Sequence, residues 1–191
     1  MKNKKSYHLL KTQYKSLFTN DKSIKEIYRV LKYGKYTSIA FSHKDLSYWY
    51  HILHGCQDVG FEYLNTIYYS LYYKSFHKIK NHLTTLSGKL VMNFKKVKNP
   101  KRIIESVKDI DFEKYIIAKI KNILEKKGNS RTEVIFNELL PDLLEKGLLN
   151  EKRNKTDVVR LLEENFLFDN NHSVWTNQNS IIKEISSNLD K

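Results

Sequence analysis

Residues 23–45, SIKEIYRVLKYGKYTSIAFSHKD, read as a helix, a glycine turn, a strand and a polar exit. Ser23 and Glu26 have the spacing of a capping box, in which the serine accepts from a first-turn N–H and the glutamate reaches back. Ile24, Ile27, Val30 and Leu31 then recur at helical spacing on one face. Gly34 stands where a left-handed C-cap would end that helix. Beyond it, Thr37, Ile39 and Phe41 alternate with Tyr36, Ser38 and Ala40, and neither set is charged. Such alternation predicts a strand covered on both faces, inside a βαβ-type sheet. The residues before it, YHLLKTQYKSLFTND, place Leu9, Leu10, Gln13, Tyr14, Leu17 and Phe18 at helical spacing and offer no strand. The strand of Tyr36 to Phe41 is therefore expected to have an unpaired edge, with neither charge nor proline to protect it.

The pattern continues downstream. Asp45 is an N-cap for a helix whose apolar face is Trp49, Ile52, Leu53, Cys56 and Val59, and Gly60 stops it. FEYLNTIYYSLYY, rich in aromatic and β-branched residues, reads as a long strand. A polar, basic stretch, KSFHKIKNHLTTLSG, leads to a last strand, KLVMNFKKV, with Leu90, Met92 and Phe94 facing inward. The connection is too irregular for a crossover helix, so these two strands are expected to pair antiparallel.

Charge separates this region from the rest. Residues 1–100 hold 18 Lys+Arg against 5 Asp+Glu, a net +13, whereas residues 101–191 hold 16 against 16. Twelve of the 13 tyrosines and six of the seven histidines also fall in the first hundred residues. That break places a domain boundary near Val97 to Pro100, and gives the first part the electrostatic signature of a polyanion-binding surface. A lysine-rich surface of purely compositional origin is the alternative. One cysteine, Cys56, excludes an internal disulfide and reads as a buried small hydrophobe in a cytoplasmic chain. No apolar run is long enough to span a membrane. His77 and His82 have no cysteine or carboxylate at ligand spacing, so no metal site is expected.

The series Lys32-Tyr33-Gly34, Phe41, His43, Lys44, Asp45, Trp49, Gly60-Phe61 and Leu90 to Lys96 resembles the C-terminal half of the catalytic domain of amino-methylating DNA methyltransferases. More narrowly, it is similar to the bacterial adenine-specific enzymes, with Lys-Tyr-Gly where that family has Lys-Pro-Gly. The resemblance covers about residues 5–98. It implies a partial Rossmann-type sheet made of the fifth, sixth and seventh strands, the last two an antiparallel pair at one edge. It also implies what is missing. The glycine-rich turn that binds S-adenosylmethionine and the Asp-Pro-Pro-Tyr-type catalytic loop have no counterpart: the only prolines are Pro100 and Pro141, and no Gly-x-Gly occurs. No catalytic residue and no cofactor is therefore assigned to this chain alone. S-adenosylmethionine would enter only with a partner chain carrying the other half of the sheet.

Ligands of open α/β sheets bind beyond the carboxyl ends of strands, which here selects Ser42, His43 and Lys44 as the substrate-side strand end. A locally hydrogen-bonded helix-entry turn is the other reading of these three. The basic stretch supplies Lys74, His77, Lys78, Lys80, His82 and Lys89, interspersed with Tyr72, Tyr73 and Phe76, a composition suited to tracking phosphates and stacking on bases. A solvated basic loop has the same composition.

Residues 112–176 read as a compact winged-helix-like domain. A helix with Ile116, Ile120, Ile123 and Leu124 on one face comes first. Ser130 and Glu133 form a second capping box, opening a helix with Val134, Ile135, Leu139 and Leu143. Thr156 to Asn165 is a third helix, and FLFDNNHSVWT is a hairpin turning at Asp169 to His172, with Phe166, Phe168, Val174 and Trp175 as anchors. DNA contacts from this part would come from Lys152, Arg153, Lys155 and Arg160, although Asp157, Glu163 and Glu164 dilute the charge.

The expected architecture is thus α/β plus α+β: residues 1–98 methyltransferase-like, 99–111 a linker, 112–176 winged-helix-like and 177–191 a polar tail. Three functions fit it. The chain is a DNA-binding fragment or subunit of a split adenine methyltransferase; or it is a non-catalytic DNA- or protein-binding module derived from one; or it is an inert remnant.

Overall fold

The computed structural model describes residues 22–69, 89–103 and 110–177. The expected N-terminal helix, the basic residues Lys74, His77, Lys78, Lys80 and His82, and the tail from 178 onward lie outside the described residues. Elements run in the order α1 (Lys22–Val30), β1 (Tyr36–Phe41), α2 (Leu46–Val59), β2 (Phe61–Tyr69), β3 (Lys89–Lys96), α3 (Phe112–Lys127), β4 (Asn129–Ser130), α4 (Thr132–Glu145), a 3-10 turn (Arg153–Lys155), α5 (Val158–Asn165), β5 (Leu167–Asp169) and β6 (Val174–Thr176). Among the described residues the fold is mixed α/β, with five helices and two small antiparallel sheets, ordered β1-β3-β2 and β4-β6-β5.

In the first sheet β3 is central and antiparallel to both neighbours, so β1 and β2 run parallel to each other and are joined through α2. Leu90, Met92 and Phe94 are buried, as the alternation predicts. So are Trp49, Ile52, Leu53 and Cys56 on α2, with Val59 packed at their edge. Asp45 caps α2, accepting from the Ser47 N–H at 2.9 Å. Gly60 closes it at φ 107°, a left-handed conformation that costs glycine little.

Four local expectations are corrected. The first helix is already formed at Lys22, so Ser23 lies inside it, and Glu26 pairs with Arg29 at 2.8 Å rather than reaching back. Its buried stripe is Ile24, Tyr28 and Leu31, spaced i, i+4, i+7, which turns Ile27 and Val30 toward solvent. Gly34 (φ 80°) is not a C-cap, since the helix ends at Val30. It forms the turn into β1 and donates its N–H to the Lys96 carbonyl at 2.7 Å. Finally, β1 is covered on one face only: Thr37, Ile39 and Phe41 are half-buried and Tyr36, Ser38 and Ala40 are exposed.

β2 departs from strict alternation. A bulge at Leu64 separates the pairs Tyr63↔Phe94 and Asn65↔Asn93, so Thr66 and Tyr68 take the β3-core side of the register while Ile67 and Tyr69 face away. Buried Thr66 is satisfied by the Tyr63 hydroxyl at 2.8 Å, and burial pushes that phenol up to about 12.

In the second half Ile116, Ile120, Ile123, Leu124, Ile135, Leu139 and Leu143 are buried, and Val134 is half-buried. Ser130 does not cap α4. It pairs with Trp175 in β4, which passes the cap position to Arg131, whose side chain makes no cap bond. The third helix starts two residues later than Thr156, because Asp157 is its N-cap. Trp175 is 1% exposed and donates to the Thr132 hydroxyl at 2.9 Å.

Buried side chains from Ile24 to Trp175 form one continuous cluster. Helix α4 packs on β2, and α2 on the 3-10 turn. Residues after β3 are held as well: the Lys101 N–H donates to Glu62, and the Arg102 guanidinium bonds the Gln57 carbonyl at 2.9 Å and Asp58 at 2.7 Å. This shared core fixes the β1–α2 turn against the start of α5.

Candidate nucleic-acid interface

The turn after β1 is built by its own side chains. The Asp45 N–H donates to His43 Nδ1 at 3.0 Å, which puts the proton of the neutral ring on Nε2. The His43 carbonyl accepts from Trp49 Nε1 at 2.8 Å, anchoring the turn to the buried indole. Its ring stacks near Phe41 (6.1 Å) and Tyr48 (4.2 Å). Sequence reasoning singled out His43 but not Tyr48, whose i+5 spacing from His43 spans the turn and leaves no periodic signal.

Facing this turn is the start of α5. Asp157 accepts from the Val159 and Arg160 N–H groups at 3.0 and 3.2 Å, fixing the backbone as Asp45 does on α2. Between the two turns lies a cavity of about 310 Å³ lined by His43, Lys44, Asp45, Ser47, Lys155, Thr156 and Asp157. The structure thus brings together Lys44 and Lys155, candidates from opposite halves of the chain. Among the described residues neither has an ion-pair partner. Two lysines and two aspartates line the space, but each carboxylate is engaged with N–H groups at a helix start. Helices α2 and α5 both direct their positive ends here. Lys44 and Lys155 are the cations of this lining, and the capping carboxylates of Asp45 and Asp157 are its anions.

The remaining candidates are dispersed. Ser42 is exposed just before His43, and Lys89 is exposed at the start of β3. Lys152 lies with Tyr50, Asn150 and Glu151 around a separate open depression. The Arg153 guanidinium sits 5.6 Å from the Phe112 ring centre. Arg160 is held by Glu164 at 2.9 and 3.0 Å and by Glu113 at 2.6 Å, so its charge is neutralised on the helix surface. Those two carboxylates also push the guanidinium pKa up, the Glu164 hydrogen bond foremost. Thr156 and Ser47, which add hydroxyls to the cavity, were missed because a lone hydroxyl in a helix-entry turn reads as capping.

Among the described residues no group of three metal-ligating side chains occurs. Among the same residues no helix is long and apolar enough to cross a membrane. No family model, curated protein or solved structure matches this chain.

Proposed function

We propose that this chain is the DNA-binding C-terminal part of a split adenine-specific DNA methyltransferase, completed by a second chain that brings S-adenosylmethionine and the catalytic loop. The observation that carries this reading is β1. It has the composition of an interior strand yet stands at the edge of its sheet among the described residues. Its parallel relation to β2 through α2, with β3 between, supports a partial Rossmann-type sheet. Helices α3, α4 and α5 with the sheet β4-β6-β5 support a winged-helix-like second part. The cavity between Lys44 and Lys155 would take a backbone phosphate, positioning DNA without reading its sequence.

The test is co-expression with a neighbouring gene product that carries an Asp-Pro-Pro-Tyr-type motif, followed by co-purification and methyl transfer to duplex DNA. The expected result is a stable complex that methylates adenine, with neither chain active alone. Methylation by this chain alone, or no complex with such a product, would overturn the proposal.

A second reading has its own support. Buried side chains from both halves share one cluster, which supports a stand-alone DNA- or protein-binding module. A monomer that binds duplex DNA with steep salt dependence, and that engages no cofactor-bearing chain, would select that reading.

A further inference from the structure

Resting on the split-enzyme reading, we infer that the β1 edge and the outer face of its sheet are one continuous docking surface for a second, different chain, which adds a strand to β1 and lays an apolar helix across the face.

The edge is defined atom by atom. The Lys96 N–H donates to the Lys35 carbonyl at 3.0 Å. Bonded pairs alternate in an antiparallel ladder, so Thr37, Ile39 and Phe41 bond to β3. Tyr36, Ser38 and Ala40 then direct their N–H and C=O groups toward the side where, among the described residues, no strand lies. The side chains of the same three residues lie on the outer face. Beside them across β3 are Lys95, Asn93 and Val91, and across β2 Glu62, Asn65 and Ile67.

This face has a built centre. Ser38 Oγ donates to Asn93 Oδ1 at 2.6 Å, and Asn93 Nδ2 to Asn65 Oδ1 at 2.8 Å, so one polar line crosses all three strands. Apolar side chains flank it: Ala40, Val91, Ile67 and Tyr69 to one side and Tyr36 to the other, with Tyr36, Ile67 and Tyr69 at 59%, 51% and 61% exposure. The Leu64 bulge is what turns Ile67 and Tyr69 outward. Without it, strict alternation would bury Ile67 and expose Thr66. A strand joined to its parallel neighbour through a helix belongs to sheets covered on both faces, and among the described residues α1 and α2 cover the other one.

Two observations select a different chain over a second copy. Pairing β1 with its own copy would extend the sheet and leave the outer face bare on both. A net charge of +13 also sets copies against each other. Lys89 and Lys95 against Glu62 leave the rim cationic, which suits acidic residues flanking the incoming helix.

The experiment is hydrogen exchange on β1 in the full chain, alone and bound to the neighbouring gene product used above, with Ala40→Arg and Ile67→Asp tested for complex formation. In the isolated chain, the Tyr36, Ser38 and Ala40 amides should exchange fast and the Thr37, Ile39 and Phe41 amides slowly. Complex formation should slow the first set at least about tenfold, and each substitution should weaken the complex more than about tenfold by burying a charge. Exchange reports on the edge even where a variant fails to fold. Protection of the first set in the isolated chain would show the chain's own residues filling the edge; protection that grows with concentration would show a second copy there. Either outcome overturns the inference, as does an active complex that both variants form normally. The last result would leave the split-enzyme reading standing, whereas absence of any complex would remove both.

Discussion

The ammonium of Lys96 lies 2.5 Å from the carbonyl oxygen of Tyr28, between the rings of Tyr28 at 4.2 Å and Tyr33 at 4.7 Å. A 7% exposed lysine at the end of β3 thus satisfies a carbonyl in the last turn of α1, where the helix dipole favours a cation. Lys96→Met keeps the stem and removes the charge. It should cost about 1–3 kcal/mol, read as a lowered urea midpoint with unchanged slope. A shift inside the range of ordinary surface substitutions would show that the cage contributes nothing.

Gly60 offers a paired comparison. A Cβ there would sit 2.9 Å from the Tyr28 hydroxyl at φ 107°, while one at Gly128 (φ 74°) meets nothing within 4 Å. Gly128→Ala tests backbone strain alone, at φ 74° and ψ −49°, outside the left-handed helical region, and should cost about 1–3 kcal/mol. Gly60→Ala should lose about 1–2 kcal/mol from its left-handed helical backbone, and more because the Tyr28–Phe61 contact at 5.0 Å must also give way. Thermal melts of the two variants settle the order.

Asp142 ties α3 to α4. Burial pushes its pKa up, but hydrogen bonds from Tyr115, Lys146 and Lys119 outweigh burial and hold the carboxyl below its ordinary 3.8. A depressed folded pKa means that the stabilisation is present above the unfolded value and is lost as pH falls through the folded one. Asp142→Asn should therefore destabilise by about 1–3 kcal/mol at pH 7 and flatten the acid limb of stability below about pH 4. An unchanged acid limb would place the acid sensitivity elsewhere.

DNA binding separates the basic residues by environment. If Lys44 and Lys155 share one phosphate site, Lys44→Ala with Lys155→Ala should lower the affinity for duplex DNA and reduce the salt slope by about 1. Arg160→Ala should leave the slope unchanged, its charge being spent on Glu113 and Glu164. Titrations across a salt series distinguish these outcomes. An equal effect of Arg160 would move the interface onto α5.

The sequence disclosed what short-range chemistry dictates. Asp45 and Gly60 bound α2 because a carboxylate cap and a left-handed glycine are local requirements, and Leu90, Met92 and Phe94 face inward because a strand has period two. It misled where a distant partner wins. Ser130 has the spacing of a cap, but Trp175 recruits it into a strand. Gly34 has the position of a C-cap, but the Lys96 carbonyl takes its N–H. The candidate site was half legible. Lys44 and Lys155 each stand out as basic residues at element ends, yet only packing of α2 on the 3-10 turn shows that they meet.

Composition changes abruptly near Pro100, but the buried side chains do not divide there. Leu46, Trp49 and Met92 belong to the same cluster as Ile120, Leu143 and Trp175. A cut at that point would leave apolar surface on both pieces without its cover, so each half expressed alone should be less soluble than the whole chain.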